Sequence, residues 1–152
     1  MFNEREDEIA IINDLIVTTI DSADGYERSA ENVRGTTFER LFSGFAQERR
    51  QIVGKLQEHV RQLGGKAEDE GSLTAGLHRP FEDLRRAISS GGDKAVIEEV
   101  ERGEDHLKSK YQEALRNKKL SPQSRPVINE AYQSVMAGHD KVSQLKHSLH
   151  EV

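Results

Sequence analysis

Glu48, Glu101, Glu104 and His139 are the residues of this chain whose types and spacing could do chemistry. Glu101 and Glu104 stand three apart in "ERGEDHLKSKY" (residues 101–111), where the apolar face of an amphipathic helix would otherwise continue. Carboxylates and an imidazole gathered inside a bundle suit iron, manganese or zinc. The same carboxylates could instead partner Arg, His or Tyr groups in a buried network, or lie solvated at a seam. Which of these holds depends on the elements that carry them and on their heights along those elements.

A di-metal site between four helices takes one Glu from each of two helices and a Glu-x-x-His pair from each of the others. Each long helical pattern here offers one polar residue within its apolar stripe: Glu27, Glu48, Glu104 and His139. The pairs are incomplete, because Gln51 follows Glu48 by three and Met136 precedes His139 by three. Glu48 is 12 residues beyond Thr36 and Glu104 is 11 beyond Asp93, so in parallel helices they are level. His139 faces position 101 across the turn at Leu120. Glu27 falls about 7 Å away in height. Asp21 and Asp24 are closer in height but point less well inward. A mononuclear set of Glu48, Glu101 or Glu104, and His139 therefore stays open. The favoured reading is a mutually satisfied polar network that fixes helix register, with Arg102, His139 and Tyr111 as first partners.

The elements that must position these groups are helical. Ile9, Ile12, Ile16, Ile20, Ala23, Ala30 and Val33 recur at three-and-four spacing and predict a helix over about 4–33. Gly35 stops it, and Thr36 with Glu39 forms a capping box for a helix over 36–64 that ends at Gly64-Gly65. A shorter helix over 73–89 carries Leu73, Leu77, Phe81, Leu84 and Ile88, with a kink expected at Pro80. Two further helices are predicted over 94–118 and 122–150. Tight turns within each long pair and a long connection between the pairs predict a single all-α domain over residues 1–152: a four-helix bundle with a helical crossover between its second and third main helices.

Composition narrows the function. With 34% apolar and 32% charged residues disorder has to be considered, and the helical periodicity decides against it. The absence of cysteine removes disulfides and thiolate ligands. A net charge of −5 without a basic tract argues against nucleic acid. The most apolar run, Ile9 to Val17, is broken by Asn13 and Asp14 and is far short of a membrane span. A cytoplasmic protein is the expectation. No nucleophile–base set, phosphate loop or dinucleotide fingerprint is present.

"GSLTAGLHRPFEDL" (Gly71 to Leu84) and "ERGEDHLKSKYQEAL" (Glu101 to Leu115) resemble the signature stretches of a bacterial ferritin-like four-helix-bundle family catalogued as a domain of unknown function. The resemblance spans nearly the whole chain and implies a ferritin-like fold and a bacterial, cytoplasmic setting, with no activity attached. Pro80 departs from the pattern, which would have glycine or another small residue there. The expected function is a non-enzymatic structural or interaction role, loosely linked to stress, with no cofactor. The alternative is a metal-binding relative of the ferritins, holding iron, manganese or zinc on a reduced ligand set.

Other residues carry weaker signals. His59 reads as a core-edge histidine and His78 as a histidine satisfied at an irregular turn. His147 and His150, in the last turns, suit the helix dipole. Phe2, Ile11 and Val17 lie off the main stripe of the first helix, which makes a homodimer an expectation. Gly25, Gly44, Gly54, Gly103 and Gly138 fall within helical patterns at a cost of about 1 kcal/mol each relative to Ala. Either close helix approach or a partner packed on bare backbone would account for them.

Overall fold

The computed structural model describes residues 4–32, 37–72 and 92–150. The described residues form four long helices: α1 (Glu4–Asn32), α2 (Thr37–Gln62), α3 (Gly92–Arg116) and α4 (Arg125–His150). Among the described residues there is no strand. The four long helices fall within a few residues of the predicted ones. The helix expected over 73–89, its kink at Pro80, His78 and the Thr36 cap lie outside the described residues.

The core is two apolar clusters stacked along the bundle. One gathers the N-terminal half of α1 (Ile12, Leu15, Ile16), the C-terminal half of α2 (Leu56, Val60), the end of α3 (Leu107, Tyr111) and the start of α4 (Ile128). The other gathers Tyr26 and Ala30 of α1, Phe42 and Phe45 of α2, Ile97 and Val100 of α3, and Val142 of α4. The partners fix the helix directions. α1 and α2 are antiparallel, as are α3 and α4, while the N-terminal halves of α2 and α3 share one end. Removing each such apolar side chain from water supplies about 1.5–3 kcal/mol, the main drive for the helices to pack.

The exit from α2 has a defined stop. Gly64 adopts φ 86°, a conformation open to glycine without penalty. The Gly65 N–H donates to the Val60 carbonyl and the Gly64 N–H to the Arg61 carbonyl. Together they form the paired bonds of a Schellman cap. The chain then runs along α1. Gly65 lies against Ile9, leaving no space for a side chain. Asn13 donates to the Lys66 carbonyl (3.0 Å) and accepts from the Glu68 N–H (2.9 Å). At Asp21 one carboxylate oxygen accepts from the Ser72 N–H (2.7 Å) and the other from its hydroxyl (2.5 Å). From Ile9 to Asp21 the strap climbs about 18 Å.

Candidate functional site

A polar layer separates the two apolar clusters. Along α2 the core positions read Phe42, Phe45, Arg49, Ile52, Leu56, so an arginine occupies a fully inward place in the three-and-four pattern. On α3, Glu104 occupies the matching place between Val100 and Leu107, and on α4, Gly138 lies between Val135 and Val142. Arg49 and Glu104 are both 0% exposed. The Arg49 Nη2 group donates to Glu104 Oε1 at 2.6 Å, joining the two helices that start at the same end of the bundle.

Gly138 makes the layer possible. A Cβ at that position would fall 2.6 Å from Arg49 Nη2, 3.2 Å from Glu104 Oε1 and 3.5 Å from Phe45 Cε1. Tyr26 closes the α1 side, with its ring centroid 6.0 Å from the Arg49 guanidinium carbon. That distance suits attraction between the cation and the ring face. Burial pushes the Glu104 carboxyl above the usual carboxylate range, and the Arg49 charge and hydrogen bond offset only part of that rise. Burial opposes the charged form of Arg49 as well, but the Glu104 charge, the Tyr26 hydroxyl and the Glu104 hydrogen bond together outweigh it and hold the guanidinium protonated. Burial, with Glu104 beside it, raises the Tyr26 hydroxyl well above its ordinary range, so Tyr26 keeps its proton. Arg49 Nε and Nη1 have no hydrogen-bond acceptor among the described residues.

The four sequence candidates do not converge. Glu48, placed inward by the sequence reading, is exposed, because its neighbour Arg49 takes the core position. Glu101 accepts from Lys146 Nζ at 2.7 Å at the rim of the α3–α4 pair. His139 Nε2 is 2.7 Å from Asp105 Oδ1, near the surface. Glu104 alone reaches the centre, and its partner is Arg49. Among the described residues no group of three or more His, Asp or Glu side chains is placed to hold a metal ion. At the bundle centre the described groups are one carboxylate and the guanidinium it pairs with. Of the expected network partners, Arg102 pairs with Glu99 and Tyr111 meets Thr19 Oγ1 at 2.8 Å. Glu27 and Asp24 pair with Arg50 on the outside of the bundle.

Sequence reading missed Arg49 because it took its neighbour Glu48 as the inward polar residue of α2. Leu41 is half-buried and Phe42 fully buried. Once Phe42 anchors the stripe, the one charged residue at core spacing is Arg49.

A second polar cluster ties the far end of the bundle. The Ser121 N–H donates to Glu8 Oε2 at 2.6 Å, and His59 Nε2 lies 2.8 Å from Ser124 Oγ. Glu8 is 3% exposed, His59 5% and Ser124 0%. Burial alone would raise the Glu8 carboxyl, but hydrogen bonds from Ser121 and Ser124 and the nearby His59 hold it below the usual range. His59 is thus the core-edge histidine its spacing implied. The cluster links α1, α2 and the entry to α4, and Ser124 is too deeply enclosed to meet a substrate.

Fold and site together define an all-α four-helix protein whose centre is a buried ion pair between its second and third long helices. Residues 7–117 match the family model described as a domain of unknown function, DUF2383, and the chain belongs to that family. The match takes in α1, α2 and α3 and stops before α4, so Gly138 and His139 lie outside it. No curated protein matches the chain. Among the described residues no helix is long and apolar enough to cross a membrane.

Proposed function

We propose that the protein is a non-enzymatic helical bundle that works by contact, with its polar layer serving to fix helix register. One observation carries this reading: the position where four helices could converge on a ligand is filled by Arg49 and Glu104, both fully buried. A fixed guanidinium there pairs with one oxygen of the central carboxylate and disfavours a second cation beside it. The ferritin-like connection belongs to the same reading. It is supported by the shared direction of α2 and α3 and by the strap 65–72, which begins the return toward the start of α3. The resemblance of the two motif stretches supports a bacterial, cytoplasmic setting and a loose link to stress.

Elemental analysis of protein purified without an affinity tag tests the reading. Iron, manganese and zinc are expected well below one per chain. Stoichiometric metal that is lost in Glu104→Ala would overturn it in favour of a ferritin relative with a reduced ligand set.

A further inference from the structure

Gly44 and Gly54 have no explanation among the described residues. Gly138 is required by Arg49, but a Cβ at Gly44 or Gly54 would meet no described atom within 4 Å. Both lie in the middle of α2, where glycine weakens a helix and close packing inside this chain gives no return. The exposed face that holds them has a regular pattern. Arg40, Gly44, Gln47, Gln51, Gly54 and Glu58 are all exposed, and their spacing is four, three, four, three, four. That is the seam spacing of a coiled coil, turned outward on the opposite side of α2 from its core stripe.

We infer that this face of α2 docks against the same face of a second copy, antiparallel and about a two-fold axis. The pattern is complementary to itself when reversed. Antiparallel pairing that sets Gly44 against Gly54 of the other copy also sets Gln47 against Gln51 and Arg40 against Glu58. The centre is free of charge, in a chain where 32% of residues are charged, and charge depletion marks the core of protein interfaces. The glycines let the two backbones approach, the side-chain amides can each donate and accept, and opposite charges meet at both ends. A two-fold contact requires this kind of self-complementarity, and a contact with an unrelated partner does not. Exposed Glu48 and Lys55 flank the seam on one side and Arg50 on the other. Arg50 is held by Asp24 and Glu27 of its own chain, so it does not oppose its symmetry mate. Ser72, the last described residue of the strap, is fixed to Asp21 beside the α1/α3 groove. Of the apolar positions first expected to self-associate, Ile11 packs on the core, Val17 lines the α1/α3 groove and Phe2 lies outside the described residues.

The inference rests on reading the chain as a protein that works by contact, and its test is separate from that reading. Metal content answers the first question, and mass in solution answers this one. Sedimentation equilibrium of the full chain at tens of micromolar should give twice the 17.1 kDa chain mass. Arg40→Glu or Glu58→Arg alone should weaken the dimer at least about tenfold, because each places like charges together at both ends. The double variant, Arg40→Glu with Glu58→Arg, should restore it. Gly54→Gln should give a monomer whose helical circular dichroism and melting temperature are not lowered, since Gln suits a helix better than Gly. A monomer in the unaltered protein, or a dimer indifferent to both single reversals, would overturn the inference.

Discussion

At the scale of single residues, the bundle depends on a pair of opposite charges that are out of reach of water. Removing one partner of such a pair leaves the other charged and uncompensated, at a cost of about 3–5 kcal/mol. Glu104→Leu and Arg49→Met are therefore each expected to lower stability by that order, measured by urea denaturation. The double substitution should recover most of the loss, since apolar side chains of similar volume then fill the layer. A double variant no better than the worse single one would show that the pair does more than satisfy itself. Gly138→Ala probes the same point from α4. Elsewhere in a helix the change would stabilise by up to about 1 kcal/mol. Here the added methyl meets Arg49 and Glu104, and overpacking should give a net loss of about 1–3 kcal/mol. If Arg49 is first shortened to Met, the loss at Gly138 should shrink.

Among the elements, the segment after α2 shows how a motif acquires its residues. The Gly-Ser at 71 and 72 is the point where the strap is pinned to the middle of α1. A Cβ on Gly71 would collide with the Asp21 carboxylate and with Ile20. Asp21 is 5% exposed and spends both oxygens on Ser72. Gly71→Ala and Asp21→Ala should both release the strap while leaving the four helices formed. Amide hydrogen exchange is the measurement: faster exchange over residues 65–72, with little change in α2, is the expected outcome. Equal acceleration throughout α1 and α2 would mean that the strap is integral to the hairpin. The register of α2 was the element the sequence read least well. Glu48 and Arg49 are adjacent polar residues, and a rotation of one position exchanges which of them faces the core. Hydropathy favours neither, because both are charged. Packing decides it, since Phe42 and Phe45 must both be buried.

The whole molecule has a pH dependence that follows from its two ends. Glu8 is held below its ordinary value of 4.5 in the folded state. A lowered carboxylate contributes stability above its unfolded value and loses it as pH falls through the folded one. In denaturation midpoints, the Glu8 contribution should therefore be lost as pH falls below 4.5, with the raised Glu104 carboxyl acting in the opposite direction, and Glu8→Gln should remove that loss. Tyr111 shows the opposite sign. Burial pushes its hydroxyl up to about 12 from 10.0, so its contribution is complete below 10.0 and is lost as pH rises toward 12. Tyr26, fully enclosed beside Glu104, follows the same direction. Spectrophotometric titration should show tyrosinate from these two appearing together with loss of helical circular dichroism. Ionisation of both in a fully helical protein would contradict the enclosure described here.

What the chain determined by itself was the four long helices and, α2 apart, the faces they bury. Apolar spacing and the Gly64-Gly65 stop are local, and local rules read them to within a few residues. It also marked Glu104 as a polar residue on an inward stripe. Only the tertiary structure decided what that carboxylate meets. Arg49 is 55 residues away, and Gly138, which leaves space for both, lies on a third helix. The reason is physical: a single buried charge is unfavourable whichever way a helix is turned, so its position acquires meaning only when the opposite charge arrives across the core. The same holds for Asp21, which a sequence reading turns away from the centre and the fold uses to hold Ser72.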